Sequence, residues 1–155
     1  MSNIGAYRLM ELIAARLRNS WSAAARVKVI IAESPAAGIE LLSNARQATL
    51  VLFYVSDSPA GFEIPGLDTA VEASVRFGLA QQAGLALAGI KPANVLQLAD
   101  DLKSFLAGAD AQFASLIGDG WLEYKGMSYI ATEAGKLLNG YALTYAPRYA
   151  YECNQ

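Results

Sequence analysis

The chain has 155 residues, a formal net charge of −2, 54% hydrophobic and 17% charged residues, no histidine, and a single cysteine, Cys153. That length fits a single domain, 1–155, able to bury roughly two-thirds of its unfolded surface without staples. The composition excludes an internal disulfide and any Ser-His-Asp or Cys-His arrangement, offers no basic run for nucleic acid, and contains no apolar run of membrane-spanning length.

The opening M-S-N-I-G-A-Y-R-L-M-E lacks a basic start followed by an apolar block, so synthesis in the cytosol is the expectation. Ile4, Leu9, Leu12, Ile13 and Leu17 then recur at helical spacing, with Arg8, Glu11, Arg16 and Arg18 between them. This predicts an amphipathic helix over about residues 3–20. The β-branched run Val27–Ala32 predicts a short strand, broken at Ser34-Pro35. Residues 36–43 stay open between a helical turn and a loop.

The continuous apolar run from Gln47 to Val55 predicts a strand buried on both faces or paired centrally. S-D-S-P-A-G-F-E-I-P-G-L-D, residues 56–68, then predicts a long irregular connection, a kind that is often functional. Phe62 and Ile64 within it either tuck onto the core or meet a partner. In Thr69–Gln82 the residues Val71, Ala73, Val75, Phe77 and Leu79 alternate with Glu72, Ser74, Arg76 and Gly78, which predicts a strand with one buried face. Residues 83–92 are small, Gly-rich and expected to be flexible.

Pro92 and Asn94 open a second helix with a stripe of Val95, Leu98, Leu102, Phe105 and Leu106, stopping near Gly108. A short apolar piece, Phe113–Ile117, and the turn Gly118-Asp119-Gly120 lead into a strand over Trp121–Ile130, with a bulge or bend at Gly126. Residues 135–140 are expected to turn the chain. In the closing segment Tyr141, Leu143, Tyr145, Tyr149 and Tyr151 share one face of a strand. Pro147 cannot donate to a ladder, which places that part at an edge or a bulge. The fold expected is α+β: a mostly antiparallel sheet of about five strands with two principal α-helices packed on it.

No catalytic constellation emerges. Asp57, Glu63 and Asp68 share one loop, but their spacing matches no calcium loop, and solvated loop acids describe them as well. Asp100 and Asp101 are helical neighbours and point apart. The glycine stretches at 84–89 and 118–120 match no phosphate loop. The aromatic residues Trp121, Tyr124, Tyr129, Tyr141, Tyr145, Tyr149 and Tyr151 pair across strands more readily than they stack a ligand. The expectation is therefore a protein that is not an enzyme and carries no cofactor or metal.

The helix–strand opening, the exposed strand with its long loop, the W-L-E-Y-K-G strand and the terminal L-N-G-Y-A-L-T-Y-A-P-R-Y-A-Y-E strand are together similar to the tail terminator proteins of long-tailed bacteriophages, Mu-like phages among them. The resemblance covers nearly the whole chain but is one of layout, without a diagnostic motif. The alanine-rich composition and the 83–92 connector depart from it. It implies a structural virion protein at the head-proximal end of the tail, assembled in the host cytoplasm. Such a protein forms a homo-oligomeric ring, usually a hexamer, that caps the tail tube. Its partners would be the tail tube protein and, beyond it, sheath and head-completion or neck proteins, with no membrane and no specific nucleic acid. The residues expected at subunit or partner contacts are Asp57, Phe62, Glu63, Ile64, Asp68, Arg148, Tyr149 and Tyr151. A head–tail connector or tail-completion protein is the neighbouring alternative. A small ligand-binding protein or enzyme using an aromatic pocket with Glu33, Glu63 or Asp68 is the alternative of another class.

Overall fold

The computed structural model describes residues 5–59, 70–108 and 122–150. Phe62, Glu63, Ile64, Asp68, Tyr151 and Cys153, with the segment 109–121, lie outside the described residues.

The alternation in the third predicted strand organises the fold. Strand β3, Ala70–Gln82, buries Val71, Ala73, Val75, Phe77 and Leu79 on one face, while Glu72, Ser74 and Arg76 on the other are half-buried. It pairs antiparallel on one side with β2, Thr49–Pro59, and on the other with β5, Lys136–Ala150. Strand β4, Leu122–Glu133, adds to β5, and β1, Lys28–Ile31, adds in parallel to β2. The sheet order is β1-β2-β3-β5-β4, so the chain has an α+β fold on a five-stranded mixed sheet.

Helices α1, Ala6–Ser20, and α3, Val95–Gly108, cover one face. Leu9, Ile13 and Leu17 of the first and Leu98, Leu102 and Leu106 of the second meet Leu50, Leu52, Val75, Phe77, Leu79 and Leu143 in one buried cluster. Asn94 caps α3, its side-chain oxygen accepting from the Gln97 amide at 3.1 Å. Pro92 sits ahead of the cap, outside the first turn.

The stretch left open over 36–43 is a third helix, α2, Pro35–Ser43, on the opposite face. Ser34 caps it, accepting from the Ala37 amide at 3.2 Å, and Pro35 occupies a first-turn position where its missing N–H does no harm. Leu42 packs into a second cluster with Val51, Phe53, Ala80, Ile130, Leu138 and Ala142.

Four expectations need correction. Residues 56–59 are not loop: β2 bulges between Tyr54 and Ser56, and Asp57, Ser58 and Pro59 then pair with Ala73, Glu72 and Val71. The flexible 83–92 connector contains a short 3-10 helix, Leu85–Ala88. The turn before the closing strand is not 135–140 but Ala134-Gly135, both at positive φ (50° and 76°), the backbone that a two-residue hairpin between twisted strands requires. Pro147 is not at an edge either, because β5 is interior. The β3–β5 register instead runs from Glu72↔Arg148 to Val75↔Tyr145 with a break opposite Pro147, which supplies no N–H. Gly126 does mark a bulge, where β4 shifts register against β5.

Helix α2 approaches the sheet closely because Gly38 carries no side chain. A Cβ there would stand 2.7 Å from the Ala32 Cβ, 2.8 Å from the Phe53 Cζ, and closer still to the Phe53 Cε1. Gly38→Ala should therefore destabilise the protein. Overpacking costs about 1–3 kcal/mol, which exceeds the ~1 kcal/mol returned by replacing a helical glycine. Urea unfolding should show a lowered midpoint for Gly38→Ala, whereas Gly108→Ala, with open space around the new methyl, should show no such fall.

Candidate functional site

The two margins of the sheet differ. At the β1 margin, the amides of Lys28 and Ala32 donate to the carbonyls of Ala48, just before β2, and Leu52 within it, so the Val29 carbonyl faces outward. The Arg18 guanidinium, in the last turn of α1, fills that position: its Nε and Nη2 donate to the Val29 oxygen at 3.2 and 2.7 Å. A charge-assisted forked contact of this kind closes part of an edge that would otherwise pair with another strand.

The β4 margin has no such cover among the described residues. Twelve residues long, it exposes Tyr124 (46%) and Tyr129 (60%) beside it. Their rings stack edge-on against Tyr145 and Tyr141 of β5, with centroids at 5.3 and 5.7 Å. Phe77 meets Tyr145 in the same manner at 5.2 Å. The aromatic residues thus form cross-strand pairs, and a small cavity of about 220 Å³ lined by Tyr124 and Tyr145 with Leu122, Lys103, Leu106 and Ala107 opens between β4, β5 and α3.

At the distal end of the sheet, Arg148 leans over the second face. Its Nε donates to the Glu72 Oε2 at 3.1 Å and its Nη2 lies 3.8 Å from the Glu123 Oε2, linking β3, β5 and β4. These groups are a quarter to a third exposed, so the network contributes little beyond the geometry it holds. Arg76 forms a second link, 3.0 Å from Glu133 and 5.4 Å over the Phe53 ring.

Asp57 is exposed at the end of β2. Its Oδ2 accepts from the Tyr54 hydroxyl at 2.5 Å, and that hydroxyl lies 2.7 Å from the Tyr149 hydroxyl. Tyr149 is a correction to the expected contact set: it is 3% exposed and belongs to the core under the helices. Burial first, then the Asp57 and Tyr149 contacts, raises the Tyr54 pKa above its ordinary value of 10.0. Tyr54 therefore stays a proton donor, tying the post-bulge end of β2 to β5. Of the expected residues, the structure places Asp57 and Arg148 at the distal end but does not join them. Glu33 is exposed beside a shallow groove of about 410 Å³ between α1 and β1, which Arg8, Glu11 and Arg18 also line. Among the described residues, no three acidic or cysteine side chains converge as metal ligands, and no helix is long and apolar enough to cross a membrane.

Sequence reasoning missed a polar latch at the proximal end. Gln81 is 3% exposed. Its Nε2 donates to the Arg46 carbonyl at 3.0 Å and its Oε1 accepts from the Ala93 amide at 2.8 Å. The signal was present: Gln81 continues the odd-numbered phase of Val71–Leu79, so it is a polar group at a core position, which demands partners. No protein-family model matches the chain, and no curated protein matches it.

The raised Tyr54 pKa has a definite sign. Its contribution to stability is complete below about pH 10, where the unfolded tyrosine is still protonated, and is lost as pH rises toward the folded value. Tyr54→Phe should therefore show a shallower loss of stability than the native chain between about pH 9 and about pH 11. Parallel alkaline slopes in urea midpoints would contradict the assignment.

Proposed function

We propose that the chain is a structural subunit of the tail-terminator type, forming a ring, six-membered as in the proteins it resembles, that caps a phage tail tube and meets neck proteins on its other side. One observation supports this above the others: among the described residues the sheet has two unlike margins, one partly covered by Arg18 and one open along β4. A cyclic ring is built from heterologous contacts, in which two different surfaces of each copy meet. Unlike margins fit that requirement, and an open strand edge is a device for backbone pairing between chains. Low charge and abundant alanine allow close approach of subunits.

The chemistry of the described surface favours assembly over catalysis. The titratable groups at the distal end are tied to each other across strands, and they hold strands together instead of converging on a cavity.

The test is assembly of tails in the absence of this chain, viewed by electron microscopy, together with the mass of the purified protein alone and with tail tube protein. Overlong tubes and a ring-sized complex on tube ends are expected. Tails of normal length that lack heads would replace capping with a head–tail joining role. Tails unchanged in length and in head attachment, with a protein that stays monomeric beside tubes, would overturn the assignment altogether.

A further inference from the structure

We infer that a basic cleft at the proximal end of the sheet receives the acidic and apolar segment 60–68 of a second copy of this chain. This rests on the ring-forming reading only in that it supplies the contact between copies.

The cleft lies between α2, the start of β1, the turn at 44–49 and the stretch at 90–94. Its two lobes, about 780 and 500 Å³, share Arg46, Gln47 and Ile90 and form one trough. In a chain of net charge −2, this trough gathers Lys28, Arg46, Lys91 and Arg26 against, among the described residues, a single lining acid, Glu40. Arg26 already lies 3.8 Å from Asp101. Among the described residues Lys28, Arg46 and Lys91 form no ion pair. Lys136 adds a cation at the rim by donating to the Asn44 side chain. Cations collected in this way repel one another, and an anionic occupant relieves that repulsion.

The cleft is also held in shape. Gln81 fixes one wall through the Arg46 carbonyl and the other through the Ala93 amide. Gln82 adds its amide to the Ala45 carbonyl at 2.7 Å and its side chain to the Ser43 carbonyl at 2.8 Å. A preformed site lowers the entropic cost of binding.

The lining selects the occupant. Ile30, Leu41 and Ile90 provide apolar surface between the cations, and no aromatic side chain lines either lobe among the described residues. Without a stacking platform, single-stranded nucleic acid is disfavoured. A peptide that mixes carboxylates with large apolar side chains fits. Residues 60–68, A-G-F-E-I-P-G-L-D, carry Glu63 and Asp68 together with Phe62, Ile64 and Leu67, and no Lys or Arg.

The segment cannot reach the cleft of its own chain. Thr49, which lines the cleft, begins β2, and Pro59 ends it. At about 3.4 Å per residue, the segment leaves the sheet roughly 34 Å away. Residues 60–69 are anchored by β2 at Pro59 and by β3 at Ala70, so they reach at most about 18 Å from those ends. The contact is therefore between copies, from the distal end of one to the proximal end of the next, which is a heterologous arrangement.

The experiment uses the full chain with a labelled peptide of residues 56–68, a scrambled peptide of the same composition and a single-stranded oligonucleotide. The native chain should bind the 56–68 peptide, more weakly as salt rises, and Arg46→Glu/Lys91→Glu should lower that affinity by about tenfold or more. A second measurement reads mass in solution. Arg46→Glu/Lys91→Glu and Glu63→Lys/Asp68→Lys should each lose self-association alone and regain the native mass when mixed, because each then offers the charge that the other lacks. No peptide binding, equal binding of the scrambled peptide, tighter binding of the oligonucleotide, or unchanged binding by the cleft variant would each overturn the inference. Rings that persist in the cleft variant would sink this contact while leaving capping intact. Peptide binding by a chain whose loss leaves tails unchanged would do the reverse.

Discussion

Burial of β3 between β2 and β5 is the constraint on which the rest of the molecule depends. Its odd-numbered side chains meet α1 and α3, and its even positions, Gly78 and Ala80 included, carry the underside of α2. A shift of one residue in its pairing would turn Phe77 and Leu79 toward α2 and Arg76 toward the main core. Each further element is attached to that frame. The turn at 44–49 and the stretch at 90–94 hang from its proximal end through Gln81 and Gln82. Glu72, near its distal end, carries Arg148.

How much of this the sequence discloses depends on the range of the interaction. Period-two burial is local, so β3 and the tyrosine phase of β5 are legible directly. The same phase that carries Leu143 and Tyr145 inward carries Tyr149 inward too, and reading Tyr149 as a surface contact set that pattern aside. Helix α2 was illegible because it has only two turns and a short apolar stripe; Ser34 and Pro35 were its clearest signals. Pro147 misled because the rule against proline in interior strands is statistical, and a local break in one ladder satisfies it. Arg18, Arg46 and Lys91 were invisible as functional groups. Their significance lies in what they face, and those neighbours come from distant parts of the chain.

The two ends of the sheet carry different chemistry. Carboxylates of the distal end are engaged by Arg148 and Tyr54, and the segment that leaves there is acidic in sequence. Cations gather at the proximal end, where among the described residues Lys28, Arg46 and Lys91 form no ion pair. Such an axial asymmetry gives a subunit a direction, as an assembly with one face to a tube and another to a neck would need. The β4 margin, open among the described residues, runs lengthwise between these ends, so the proposed edge pairing and end-to-end charge contacts would use different surfaces.

The clasp of Arg18 on the Val29 carbonyl links two properties that are usually separate. As long as the first helix is docked, the outermost short strand has its exposed carbonyl occupied. Fraying of that helix from its sheet bares the carbonyl together with apolar residues such as Ile13 and Leu17. A sticky β-edge and an oily strip then become available at the same moment. The solubility of this protein therefore depends on how firmly its first helix stays closed, and damage that loosens the helix will show first as clumping, ahead of global unfolding.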